Sequence, residues 1–153
     1  MDSKDLALLA EQSRKRTIKK LREIPEGLEN WRLNRKTPSF AEITQHLLEI
    51  DRILLNLPDT RSFEWKKGRI DPSRQYSSQE FKTMFGDLTR MGEERKKMIA
   101  SLSREKLEQK VVNKDKGEMS MQWFILKNII QHETYHSGQL SANVKMFKEE
   151  FSV

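Results

Sequence analysis

Cysteine is absent from this chain of 153 residues. That excludes disulfides, thiolate nucleophiles and cysteine-ligated metals together, so any metal chemistry must draw on histidine, aspartate or glutamate. Histidine is scarce as well, with three residues at positions 46, 132 and 136. No apolar run approaches the roughly 20 residues needed to span a bilayer. The opening MDSKDLALLAEQSRKR is charged within its first five residues and lacks the apolar centre of a secretory signal. A cytoplasmic protein with no membrane partner is the expectation. The length suits one domain over residues 1–153, large enough to bury a core.

A preponderance of one charge is also missing. The formal net charge is +6, but 29 basic residues are interleaved with 23 acidic ones. The basic groups RKRTIKKLR (14–22), RLNRK (32–36), KKGR (66–69) and RKK (95–97) are dispersed, and no aromatic-rich basic strand or glycine loop accompanies them. The pattern is that of a solvated charged surface, and no nucleic-acid partner is expected. Hydrophobic residues make up only 35 % of the chain, so a partner subunit is expected to contribute to its stability.

What is present is helical periodicity, in four segments. The first runs from about Ser3 to Ile24, with Leu6, Leu9, Ser13, Thr17 and Leu21 at i+3/i+4 spacing, and IPEG (24–27) stops it. The second opens at the capping box SFAE (39–42), repeats Ile43, His46, Ile50, Ile53 and Leu57, and ends at Pro58. The third opens at a second capping box, SSQE (77–80), and carries Phe81, Phe85, Leu88, Met91, Arg95, Met98 and Leu102 on one face. The fourth begins near Ser120 and aligns Met121, Ile125, Ile129, His132, His136, Leu140, Val144 and Phe147. The one strand signal is short, at KVVN (110–113). Four amphipathic helices predict an all-α four-helix bundle. The link 58–76 is long for a bundle turn, long enough to cross over and set helices two and three parallel. Trp65 in that link can pack across the bundle or against a second subunit.

All three histidines fall on apolar stripes. His132 and His136, in QHETYHSGQL, stand one helical turn apart and project together, and His46 lies between Ile43 and Ile50. Buried imidazoles need partners for their ring nitrogens. Three of them, from two helices, can surround a divalent cation and leave a position open for water or substrate. The bland alternative is three core histidines hydrogen-bonded to Thr44, Gln45 or Gln139. HETYH also matches the H-E-x-x-H pattern of zinc peptidases, where the glutamate is the general base. Against a peptidase, no histidine follows His136, Glu149 and Glu150 lie at the end of the chain, and no strand is placed to hold an extended peptide.

SFAEITQHLLEIDRIL followed far downstream by IIQHETYHSGQL resembles the DinB/YfiT-like superfamily, small four-helix-bundle metalloproteins with one histidine in helix two and His-x-x-x-His in helix four. The lead-in LREIPEGLENWRLNRKTPSFAEI, with its tryptophan-containing loop, resembles the family too, so the likeness covers nearly the whole chain. It implies that His46, His132 and His136 bind zinc, nickel or iron, that the protein forms a homodimer, and that helices two and three are joined by a crossover. It further implies a metal-dependent transferase or isomerase using a low-molecular-weight thiol. A metal that activated water instead would make the protein a hydrolase, in either case acting on a small-molecule substrate. Such a thiol would arrive with the cosubstrate, consistent with the absence of cysteine. The noncatalytic alternative is a bundle in which the metal only staples helices two and four.

Three further residues are candidates around the site. Glu133 can act as general base, as a hydrogen-bond partner to a ligand imidazole, or as a plain solvated carboxylate. Gln139 can hydrogen-bond a ligand or line the cofactor pocket. Arg95, on the otherwise apolar stripe of helix three, can bind an anionic group of cofactor or substrate, or snorkel out to water.

Overall fold

A computed structural model of the chain describes residues 1–151. The fold is mostly helical: α1 (Ser3–Leu21), α2 (Phe40–Thr60), α3 (Ser78–Ala100), the short α4 (Arg104–Glu108), and a last rod of α5 (Met121–Phe124), a π-helical segment (Ile125–Gln131) and α6 (His132–Glu150). Both expected capping boxes are formed: Ser39 with Glu42 opens α2 and Ser77 with Glu80 opens α3. A third, Asp2 with Asp5, opens α1.

Three boundaries differ from expectation. Helix α1 closes at Leu21, and Glu23 and Ile24 turn back in tight hydrogen bonds before Pro25. Helix α2 continues through Pro58 to Thr60, because a proline in the last turn forfeits one backbone bond while the chain exits at Arg61, whose φ of 53° gives a left-handed cap. The last rod is not one uniform α-helix, since residues 125–131 widen to i→i+5 bonding just before His132.

The mostly helical fold agrees with the expected all-α class, and the structure adds a small three-stranded sheet of order β1-β2-β3. Strand β2 (Lys110–Asn113) is the signal seen at KVVN. It pairs in parallel with β1 (Ser62–Phe63), from the long 58–76 link, and antiparallel with β3 (Gly117–Ser120). The β2–β3 hairpin closes at Gly117, whose φ of +99° only a residue without a Cβ adopts at little cost. Strand β1 is two residues long, too short for any periodicity to reveal it.

The apolar interior is split into two clusters. Leu6, Ala10, Leu54, Ile99, Phe124 and Ile125 belong to one, and Leu21, Phe40, Leu48, Leu88 and Leu140 to the other. Between them lies a polar layer to which every long rod contributes: Arg14 and Thr17 from α1, His46 and Asp51 from α2, Arg95 from α3, and Glu133, His136 and Ser137 from α6, all buried. The candidate site occupies part of this layer.

Candidate metal centre

The three histidines, distant in sequence, meet. His46 Nε2 lies 3.2 Å from His132 Nε2, which lies 3.1 Å from His136 Nε2. Their rings are set edge to face at 74–82°. The i,i+4 spacing on α6 brings the last two together, and α2 supplies the third from the facing side. The α6 stripe is continuous with Ile125 and Ile129 of the π segment, so the apolar seam holding the rod also delivers its histidines inward.

Three imidazole nitrogens that converge in this way could hold a metal ion among them. Neutral rings share too few protons to satisfy every Nε2, and charged rings repel. Burial, reinforced by His136, pushes the His46 pKa down to about 4. Burial, with His136 and His46 adding, pushes His132 down to about 3 against the opposing pull of Glu133. His136 is lowered by burial too, opposed by its bond with Gln139 and by Glu133. A proton is therefore a poor occupant near neutral pH. Two imidazole nitrogens each about 2.0–2.1 Å from one tetrahedral ion would lie roughly 3.3–3.4 Å apart. The two separations from His132, 3.1 and 3.2 Å, are close to that, and all three ligand atoms lie within 4.8 Å of one another, so the residues fit a metal. Among the described residues no aspartate or glutamate joins the three as a further ligand.

A model of the DinB superfamily matches residues 9–140. The chain belongs to the DinB superfamily. No curated protein and no solved structure matches it.

The surroundings of this DinB site assign the remaining candidates. Gln139 Oε1 lies 2.9 Å from His136 Nδ1 and orients that ring. Trp65, left open between bundle and partner, stands edge-on to His132 at 5.0 Å between centroids. Gly68 presses on His46 so closely that a Cβ there would sit 3.3 Å from its Cγ. The long link thus roofs the triad, held down where Glu42 accepts from Asp71 N at 2.6 Å and pairs with Arg32 at 2.7 Å.

Glu133 and Arg95 do not face the histidines. Glu133 is 1 % exposed and neither solvated nor bonded to an imidazole. Its Oε2 accepts from Arg14 Nε at 2.9 Å and Thr17 Oγ1 at 2.8 Å, and its Oε1 from Arg14 Nη2 at 2.8 Å with Arg95 Nη1 also at 2.8 Å. Burial would raise its pKa, but Arg95, Arg14 and the bond from Thr17 overcome that and hold the carboxyl down at about 2. Arg95 neither snorkels nor reaches a ligand. At 1 % exposure it pairs with Asp51 at 3.0 Å and donates to Ala10 O at 3.0 Å. Arg95 is buried on the same helix face as Leu88 and Met91, and its partner Glu133 on α6 follows from packing that α3 alone does not encode.

Arg14 and Asp51 escaped the sequence reading. Arg14 Nη2 donates to Asp51 Oδ1 at 2.9 Å and Nη1 to Leu88 O at 2.7 Å. Burial lowers the Arg14 pKa, while Glu133 and Asp51 outweigh it and raise it. The sequence signal is weak: Asp51 stands beside Ile50, with Glu49 and Arg52 also in LLEIDRILL. Arg14 is one of three basic residues, with Lys15 and Arg16, between Ser13 and Thr17.

Proposed function

We propose that this DinB protein binds one zinc, nickel or iron ion through His46, His132 and His136 and uses it on a small-molecule substrate, as a thiol S-transferase or a hydrolase. The carrying observation is the convergence of the three Nε2 atoms with no fourth protein ligand among the described residues. A structural site closes with four protein ligands, whereas a catalytic one keeps a position open, so the ligand count favours turnover over a mere staple. Bound there, a divalent ion lowers the pKa of a coordinated thiol or water and makes it nucleophilic near neutral pH.

The chain's own groups do the rest. The three histidines, neutral at pH 7, present lone pairs rather than protons to the ion. Gln139 fixes the tautomer and angle of His136. Trp65 and Gly68 cover two of the rings and limit water around them. Glu133 serves as a buried counter-charge to Arg14 and Arg95 rather than as the proton acceptor of a peptidase.

The supporting architecture is a DinB-like four-helix bundle with a crossover. Phe40 and Ala41 of α2 share a cluster with Met84 and Leu88 of α3, and Leu54 and Leu57 share the other with Ile99, the order expected if the two helices run in the same direction. We place the protein in the cytoplasm as a homodimer, a state that light scattering on the purified protein tests. No helix of the described residues is long and apolar enough to cross a membrane.

Elemental analysis of untagged protein beside His46→Ala tests the centre. About one equivalent of metal, lost in the variant, is expected. Full metal content in His46→Ala, or none in wild type after reconstitution with each ion, would refute it.

A further inference from the structure

Two larger clefts reach the histidines from different sides, and their electrostatics differ. The one beside His46, about 490 Å³, is lined by Glu42, Glu49 and Glu80 as well as Arg69 and Arg74. Its charges largely answer one another: Arg74 pairs with Glu80 at 2.6 Å, and Glu42 with Arg32 at 2.7 Å. The other, about 440 Å³, opens on His132 between the β2–β3 hairpin and the π segment. Lys116 and Lys127 line it and no carboxylate does.

Four polar side chains of this second cleft have no protein partner among the described residues, whereas Asn113 Oδ1 accepts from Asp115 N. Among the described residues no hydrogen bond or ion pair engages the side chains of Lys116, Lys127, Asn128 or Gln131. Lys116, Lys127 and Gln131 are exposed, so their donors are met by water that an anionic ligand would displace. Two aromatic rings complete the walls. Trp65 lies against His132, and Tyr135 keeps 66 % of its surface exposed while its ring stands 5.2 Å from His136. A few convergent polar groups on an aromatic-walled cleft are the marks of a small-molecule site.

We propose that this cleft binds a small organic anion with a flat apolar body, its negative group held by Lys116 and Lys127 and its ring against Trp65 and Tyr135. The role of that anion as the substrate presented beside His132 rests on the metal reading above; its binding does not. A carboxylate or sulfonate on an aromatic ring has the required chemistry. A cationic amine would meet two like charges and is rejected.

Benzoate is the probe, titrated into ¹⁵N-labelled full-length protein, metal-free and zinc-loaded, with benzamide and benzylamine in parallel. Expected are saturable shifts of the Asn128 and Gln131 side-chain amide signals with benzoate in both forms. Benzamide should bind about tenfold more weakly, a charge-assisted hydrogen bond being worth more than a neutral one, and benzylamine not measurably. The Lys116→Gln/Lys127→Gln double variant alters two exposed side chains and should fold normally, losing about tenfold in benzoate affinity while benzamide is unchanged. Benzoate signals that do not move, move without saturating, or persist undiminished in the double variant would overturn the proposal. Binding only in the zinc-loaded form, undiminished in the double variant, would overturn it too, by showing the carboxylate on the metal instead. Zinc failing to bind while benzoate binds the metal-free protein would refute the metal centre and leave the anion site standing.

Discussion

The carboxylate of Glu133 is held side-on by the guanidinium of Arg14, with Nε 2.9 Å from Oε2 and Nη2 2.8 Å from Oε1. This two-pronged pair ties α1 to α6 one residue from His132 of the histidine triad. Arg95 and Asp51 extend it to α3 and α2, so all four long rods meet in one charged layer beside the triad.

Removing one member of such a layer leaves its partners charged and buried. Glu133→Gln should destabilise the protein by about 3–5 kcal/mol, the usual cost of a buried charge that loses its counter-ion. Urea unfolding followed by circular dichroism measures it, and a loss no larger than that of a surface substitution would mean that Arg14 and Arg95 find other acceptors.

Gly92 makes room for the same arginine. A Cβ at that position would lie 2.9 Å from Arg14 Cγ, inside any tolerated contact. Gly92→Ala should therefore cost about 1–3 kcal/mol, despite the better helix propensity of alanine, because the crowded side chain is pinned at its far end. Thermal unfolding of the variant decides it, with a stabilised protein as the contrary result.

Gln139 touches the proposed metal centre only through His136. Gln139→Ala should weaken metal affinity by roughly 10–100-fold with little change in fold, as removal of a partner of a ligating imidazole commonly does. Competition against a chromophoric chelator reads the affinity directly. Unchanged affinity would reduce the Gln139 contact to helix packing.

Acid should destabilise the metal-free protein in a defined window. Folded His46 and His132 stay neutral down to about pH 4 and 3, while in the unfolded chain they protonate near the ordinary imidazole value of 6.5. Below that value the unfolded state binds more protons, so stability is full above it and declines as pH falls towards the folded values. Glu133, held at about 2 against an ordinary 4.5, adds a second decline at lower pH, since its ionised form is the one the arginines stabilise. Urea midpoints measured from about pH 7.5 to about pH 5 should fall, and His46→Ala should flatten the slope. Bound metal should be released over the same range, because protons compete for the ligating nitrogens.

By itself the sequence determined the helical rods, their caps and the inward placing of the histidines. Those properties are local: a Ser-x-x-Glu box satisfies its own helix end, and residues four apart share a face whatever packs against it. Tertiary structure alone decided the rest. Whether Glu133 meets water, an imidazole or an arginine depends on the rotation of α6 against α1 and α3, set by packing across the whole interior. Strand β1 exists only because β2, 48 residues further on, offers it a hydrogen-bonding edge. The roof of Trp65 and Gly68 over the site follows from where the long link is tied down, through a contact between Glu42 and the backbone of Asp71 that no periodicity encodes.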